Sequence, residues 1–446
     1  MAQFLKYLDN TNIKNAYVSG MEQDLHFKGK EYNWLTTWWS IGFIIGHVGC
    51  LFVINKVRVS IWLPTSELLW AAFLMGMAGA KNIPTLYAMR FFIGFFDAGL
   101  YPGVVLLMSM WYRPEELTKR VCIYQICNAA AQMFGSYLET ALHHNLNGKA
   151  GLESWQWLFL IDGLITIPFA LYGYFALPDT PANSKAYWLT EEDLSLAAHR
   201  LEAGRIVDEK VEGAETKIST RFLLKVIVKS FANWQVYAFS LAFSAHTIAM
   251  QLTTYFNLWL QYEKYSVSQL NNIPTGGYAI QIVSTLVWAW IADILRLRWP
   301  SILIGCGIAI IGSIILSIQP DNKSAIFAGW YLLFFECGTD PIFLVWLSDV
   351  SESSLLRGIN LVTVQTVALV MNAWFPLVAY PADQAPHYSV GYYLAMTFYC
   401  VEFLTTVAIA ITIRVKSMRS DTVDFSVPSD DPAVTSVPAN VSTKDL

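Results

Sequence analysis

The chain predicts an all-helical membrane protein of two six-helix halves, and three observations carry that expectation. Of its 446 residues, 55% are hydrophobic and only 14% charged, where soluble chains are nearer 25% charged. Mean hydropathy is +0.41. A polar stretch over 178–231 divides the apolar runs into two sets, as expected for paired helical repeats.

A run of about 20 apolar residues crosses a bilayer as a helix, because a helix pairs its own backbone polar groups. Eleven such runs cover 34–54, 62–80, 83–112, 121–142, 155–177, 232–260, 275–295, 300–318, 325–349, 355–379 and 391–413. The runs 83–112 and 232–260 exceed the bilayer thickness and are expected to tilt or protrude. Residues 2–18, AQFLKYLDNTNIKNAYV, are half apolar and resemble the second part of a helix, giving 11 full spans plus a partial one. The expected organisation is an N-terminal half at 1–178, a central loop at 179–231, a C-terminal half at 232–416 and a disordered tail at 417–446. In the loop, Thr190 caps a short helix that Gly204 ends. Lys and Arg crowd the connections on the central loop's side, which places that side in the cytoplasm. A signal peptide is not expected, because the first residues lack a basic stretch followed by an apolar core. Asn322-Lys-Ser reads as a glycosylation sequon on the other face.

Composition also excludes functions. The net charge is −5 and no basic block exists, which argues against nucleic acid. The six cysteines sit in apolar segments without a CxxC pair and read as small buried hydrophobes. No GxSxG, HExxH, P-loop or dinucleotide glycine pattern is present, so neither an enzyme nor a cofactor is expected.

A charge in hydrocarbon costs several kcal/mol and calls for a reason. Asp9, Lys14, Arg90, Asp97, Glu139, Asp162, Glu336, Asp340 and Glu402 all fall in the apolar runs or beside them. Arg90 and Asp97, in LYAMRFFIGFFDAGLYPG, are two helical turns apart and share a face. There a guanidinium attracts an anion beside a carboxylate that gains and loses a proton; a structural ion pair is the alternative. Gly94 and Gly99 allow a close neighbouring helix, and Pro102 kinks the lower half of the run. Glu336 and Asp340, in LFFECGTDPIFLVWLSD, put two repelling carboxylates on one face, which suits a proton carrier or a pair with a cation on another helix. Ser244, His246, Thr247, Gln251, Thr254 and Tyr255 form a polar stripe that either lines a cavity or bonds helices together. His246 reads equally as a proton relay or a satisfied histidine. Asp9, Asn10, Asn12 and Asn15 form another polar face, either cavity lining or the solvated end of a helix.

With these residues in view, the chain resembles the major facilitator superfamily. Leu86, Arg90, Gly94 and Ala98 resemble its fourth-helix motif, whose arginine is associated with proton coupling. WIADILRLR resembles its gating loop, with Asp293 in the acidic position and Arg296 and Arg298 as the basic residues. In the first half the same loop reads INKVRVSIW, with Asn55 where Asp is usual. Within the superfamily the chain resembles the fungal anion:cation symporters of the allantoate/pantothenate permease group, through YLDNTNIKNAYVSGM, RFFIGFFDAGLYPG, WQWLFLIDGLITIPFALYGYFALPDTP, NNIPTGGYAIQIVSTLVWAWIADILRLRWP and NAWFPLVAYPADQAP. Asp97 stands where that group commonly has Glu. The fifth helix, ICNAAAQMFGSYLETAL, lacks the Gly-Pro pair of drug exporters.

The resemblance implies proton-coupled uptake of a small organic anion, such as a vitamin carboxylate, by a monomer in the plasma membrane. Asp9, Asn12, Arg90, His246, Thr247, Gln251, Thr254 and Tyr255 would contact the substrate, and Asp97, Glu336 and Asp340 would carry the proton. Export of a secondary metabolite and an inactive or sensor-like homologue are the alternatives.

Overall fold

The structure is a computed structural model that describes residues 1–54, 57–109, 111–112, 114–179, 184, 186–197, 231, 233–351, 354–380 and 389–424. It is helical, with no strand among the described residues. The N-terminal half contains α1 (Ala2–Ala16), α2 (Glu31–Ile54), α3 (Val59–Met77), α4 (Ile83–Asp97), α5 (Leu100–Ser109), α6 (Pro114–Leu146) and α7 (Ser154–Ala176). The C-terminal half contains α8 (Trp234–Met250), α9 (Phe256–Tyr262), α10 (Val267–Asn272), α11 (Thr275–Leu295), α12 (Trp299–Ile318), α13 (Lys323–Glu336), α14 (Asp340–Val350), α15 (Ser354–Ala379) and α16 (Ser389–Asp424). Seven segments among the described residues are long and apolar enough to cross a membrane. Large apolar side chains such as Phe175, Trp290, Ile318 and Leu404 are exposed, 67–71% of each. That outward apolar surface suits contact with lipid tails.

Both overlong runs are interrupted, the first of them beside Pro102, where a kink is expected, and the second where only tilt or protrusion is expected. Residues 83–112 break between α4 and α5, because Pro102 has no N–H for the carbonyl four residues back, at Ala98. Residues 232–260 break at a 3₁₀ turn, Gln251–Tyr255, where the hydroxyls of Thr253 and Thr254 bond back to the carbonyls of Met250 and Gln251 at 2.8 and 2.7 Å. Pro341 separates α13 from α14 through the turn Cys337–Thr339 in the same way. The last helix continues to Asp424, past the run's expected end at 413 and into the expected disordered tail. The rest of that tail lies outside the described residues. Of the loop helix, residues 191–197 are described: Thr190 Oγ1 accepts from the Asp193 amide and Asp193 Oδ2 accepts from the Thr190 amide. Gly204 lies outside the described residues. Cys50, Cys306 and Cys337 are buried as expected, whereas Cys127 is half-buried and Cys400 is exposed; Cys122 lies outside the residues whose side chains are described.

Packing brings α2 against α4, α3 against α7, α1 against α6, α12 against α13 and α16, and α8 against α15 and α16. The halves meet where α2 packs on α15 and α6 on α11. The α2–α4 crossing is close enough to need glycine from both sides. A Cβ on Gly94 would stand 2.1 Å from the Trp39 carbonyl oxygen, and one on Gly42 would stand 2.0 Å from that of Phe91. Gly94→Ala should therefore force the helices apart at a cost of about 1–3 kcal/mol and lower the thermal midpoint in detergent by several degrees. Gly307→Ala, whose Cβ meets nothing within 4 Å, should leave the midpoint unchanged; equal midpoints for both variants would contradict this crossing.

Candidate central cavity

A cavity of about 280 Å³ opens between the halves. Helix α1 contributes Tyr7, Asn10, Thr11 and Lys14, at the spacing of one helical face. Arg90 enters from α4 and Gln132 from α6. From the C-terminal half come Thr247, Gln251, Thr254 and Tyr255, at and around the 3₁₀ turn, with Tyr278 and Gln281 from α11. Among the described residues, the lining holds two cations, Arg90 and Lys14, and no Asp or Glu. Amides and hydroxyls make up most of the rest.

The two cations are held differently. Arg90 is 2% exposed, and its Nε and Nη1 have no hydrogen-bond partner among the described residues. Asp9, Asp97 and Tyr32 lie within its electrostatic reach. Lys14 donates to Gln132 Oε1 at 3.1 Å and to the Tyr278 hydroxyl, so it ties α1 to the opposite half across the cavity.

Of the residues expected at the site, Arg90, Thr247, Gln251, Thr254 and Tyr255 line the cavity together. Asp9, Asn12 and His246 are not among its lining residues. Asn12 is fully buried and donates to Asp162 Oδ2 at 2.6 Å, joining α1 to α7. Asp97 pairs with Lys6 Nζ at 3.2 Å, both nearly buried. His246 sits behind the cavity wall with Nδ1 at 2.5 Å from Glu336 Oε1 and 3.4 Å from Glu402 Oε1, and Nε2 at 3.7 Å from Asp340 Oδ1. Two ligands of one tetrahedral metal ion would stand about 3.3 Å apart, given metal–ligand bonds near 2.0–2.1 Å. The 2.5 Å contact is instead the length of a short hydrogen bond between the ring nitrogen and the carboxyl group. At the loop end of the C-terminal half, Arg298 bridges Asp293 at 2.8 Å and Asp349 at 3.0 Å, while Arg296 closes α11 in a left-handed conformation with φ 50°. Asn322 is exposed and its side chain caps α13 by accepting from the Ser324 amide at 3.0 Å. Lys14, Gln132, Tyr278 and Gln281 join the site without a sequence signal that assigns them to it, although Lys14 stands out in the sequence as a charge near the membrane.

At the end of the bundle away from the central loop, the halves are clasped. Asn33 Nδ2 lies within bonding distance of the Tyr255 hydroxyl and of the Pro376 and Tyr380 carbonyls, at 3.0, 3.2 and 2.8 Å. Thr37 donates to the Ala373 carbonyl at 2.7 Å, and Thr140 to Asn272 at 2.9 Å. Asn33→Ala should loosen this end. A membrane-impermeant maleimide applied from the face opposite the central loop should then modify Cys337, which lines the cavity, several-fold faster than in the parent, as read by mass spectrometry of the labelled peptide. Equal rates would show that Asn33 does not hold this end shut.

The family profile described as Major Facilitator Superfamily matches residues 1–400. The chain is 32% identical to the "MFS transporter PfmaC" of Pestalotiopsis fici, over 86% of this chain and 72% of that one. It is 31% identical to the "Pantothenate transporter liz1" of Schizosaccharomyces pombe, over 88% of this chain and 75% of that one. To the "Vitamin H transporter" of Saccharomyces cerevisiae it is 28% identical, over 90% and 68%. Among solved structures, the proton:xylose symporter XylE bound to 6-bromo-6-deoxy-D-glucose superposes with a TM-score of 0.70 at 15% identity, covering 91% of this chain and 92% of that one. A partially occluded inward-open form of XylE from E. coli superposes with a TM-score of 0.64 at 15% identity, covering 91% and 96%.

Proposed function

The chain belongs to the Major Facilitator Superfamily and is a multi-pass transport protein rather than an enzyme; on that premise we propose that it takes up a small organic anion together with a proton, across the plasma membrane. The observation that supports this best is the charge of the cavity. Two cations and no carboxylate line it among the described residues. In a wall of low dielectric such a site favours an anion and repels cationic solutes. The many amides and hydroxyls suit a substrate with hydrogen-bonding groups beyond its carboxylate. Pantothenate, which carries hydroxyls and an amide, has that chemistry, and two relatives are named for pantothenate and vitamin H transport.

In this reading, the halves at 1–178 and 232–416 rock about the cavity. Arg90 and Lys14 take the carboxylate. Thr247, Gln251, Thr254 and Tyr255 take the neutral part, and Asp9 and Asn12 hold α1 in place behind the cavity wall. Arrival of an anion at Lys14 competes with the Tyr278 bond, so binding loosens a tie between the halves. Protonation of Asp97 would end its pairing with Lys6, and Glu336 with Asp340 would serve the same purpose in the other half. Asp293, Arg296 and Arg298 would steady the loop-side end during the swing.

The test is uptake of radiolabelled pantothenate into proteoliposomes under an inward proton gradient. A charge-assisted hydrogen bond contributes about 1.5–3 kcal/mol, so Arg90→Ala and Lys14→Ala should each lower uptake at least tenfold. Asp97→Asn should remove the stimulation by the gradient and keep exchange of preloaded substrate. Full-rate uptake by Arg90→Ala would refute the assignment of roles.

A further inference from the structure

The coupling reading uses Glu336 and Asp340 and leaves Glu402 without a task. Yet Glu402, on α16, is fully buried and meets Glu336 around one imidazole. His246, Glu336 and Glu402 come from three helices and have side chains with 0% exposure. His246 is packed between the rings of Phe243 and Phe343, 5.9 and 5.3 Å away. Glu336 Oε2 and both oxygens of Glu402 have no hydrogen-bond partner among the described residues. No Lys or Arg pairs with the group among the described residues. Two bare carboxylates in such a place would cost several kcal/mol each. The counter-charge that fits in a 2.5 Å contact is a proton.

Among the described residues, the other groups facing the cluster supply no cation. Tyr399 on α16, Cys306 on α12 and Cys337 in the turn before α14 are in electrostatic reach of the glutamates. Residues 359–379 of α15, packed on α8, contain no titratable side chain. The Thr339 hydroxyl lies 3.0 Å from Glu336 Oε1 and fixes its orientation. Asp340 alone reaches outward: its side chain is 27% exposed, and it faces the opposite ring nitrogen, Nε2, at 3.7 Å.

We propose that His246, Glu336 and Glu402 form a proton-binding site inside the C-terminal half, filled and emptied through Asp340. The proposal deepens the coupling reading above and adds Glu402 and His246 to it. A rotation of the Asp340 carboxyl closes the 3.7 Å gap. Protonated Asp340 then gives its proton to Nε2, and Nδ1–H releases its own to the Glu336 carboxylate. One N–H bond forms and one breaks, Asp340 is left as a carboxylate, and the imidazole ends neutral in its other tautomer. Glu402, 3.4 Å from Nδ1, is the second acceptor.

The test needs no substrate, so this reading and the pantothenate reading fail separately. Infrared difference spectra of the reconstituted full chain are recorded against pH, following the carbonyl stretch of buried protonated carboxyl groups. The parent should show a band that fades as pH rises. Glu336→Gln and Glu402→Gln should each abolish or shift it, and Asp97→Asn should keep it. Asp340→Asn should keep the band and slow its hydrogen–deuterium exchange at least tenfold, an effect that a purely structural role for Asp340 would not produce. Should a Gln variant fail to elute as a monodisperse peak, Glu402→Asp replaces it, and a shifted band frequency supports the site. A band unaffected by substitution of both glutamates, or no such band in the parent at any pH, would overturn the proposal.

Discussion

A guanidinium kept out of water in the middle of a lipid-facing helical bundle is the constraint around which this structure is arranged. Arg90 is 2% exposed, and two of its nitrogens lack a hydrogen-bond partner among the described residues. Such a charge persists only where surrounding groups compensate it. The carboxylates of Asp9 and Asp97 lie within its reach, and Asp97 in turn is shared with Lys6. The balance is partial, and it leaves the cavity face of the arginine free to bind. One turn further on, Gly94 lets the α2 backbone come close, which brings Trp39 and Thr36 into the wall beside it. The tight crossing and the positive cavity are thus one feature seen from two sides.

The two halves solve the same problem with different chemistry. Each breaks a long apolar run at a proline, Pro102 or Pro341, and each places a carboxylate next to the break, Asp97 or Asp340. A break frees backbone carbonyls and concentrates polar atoms where a continuous helix would have none. In the N-terminal half the acid is paired with lysine. In the C-terminal half a histidine stands between three acids. Lysine gives an ion pair that is either made or broken, whereas imidazole can pass a proton from one side of its ring to the other.

How much of this is legible in the sequence depends on how unusual each residue is for its surroundings. Arg90, Asp97, Glu336 and Asp340 are visible because charges are rare in apolar runs, and the stripe 247, 251, 254 and 255 is visible through its spacing. Helix α1 is harder. Polar residues cover most of its circumference, so spacing alone does not decide whether Asp9 and Asn12 or Asn10, Thr11 and Lys14 face the cavity. The neighbours decide it: Asp162 on α7 takes Asn12, and Gln132 and Tyr278 take Lys14. Glu402 looks solitary in α16, since its partners lie far away in the chain. The break at Pro102 is legible as a kink, because a proline stands out in an apolar run, whereas the break at 251–255 reads only as excess length, since the back-bonding of a pair of threonines leaves no sequence signal of its own.

The central claim is that the cavity selects its solute by negative charge. Isothermal titration of the purified protein with pantothenate and with its uncharged alcohol analogue, pantothenol, tests this without transport or a gradient. The two ligands differ at the carboxylate and share the hydroxyls and the amide. Pairing with two buried cations predicts at least tenfold weaker binding of the alcohol, since about 1.4 kcal/mol corresponds to a factor of ten. Equal affinities for the two would contradict the account.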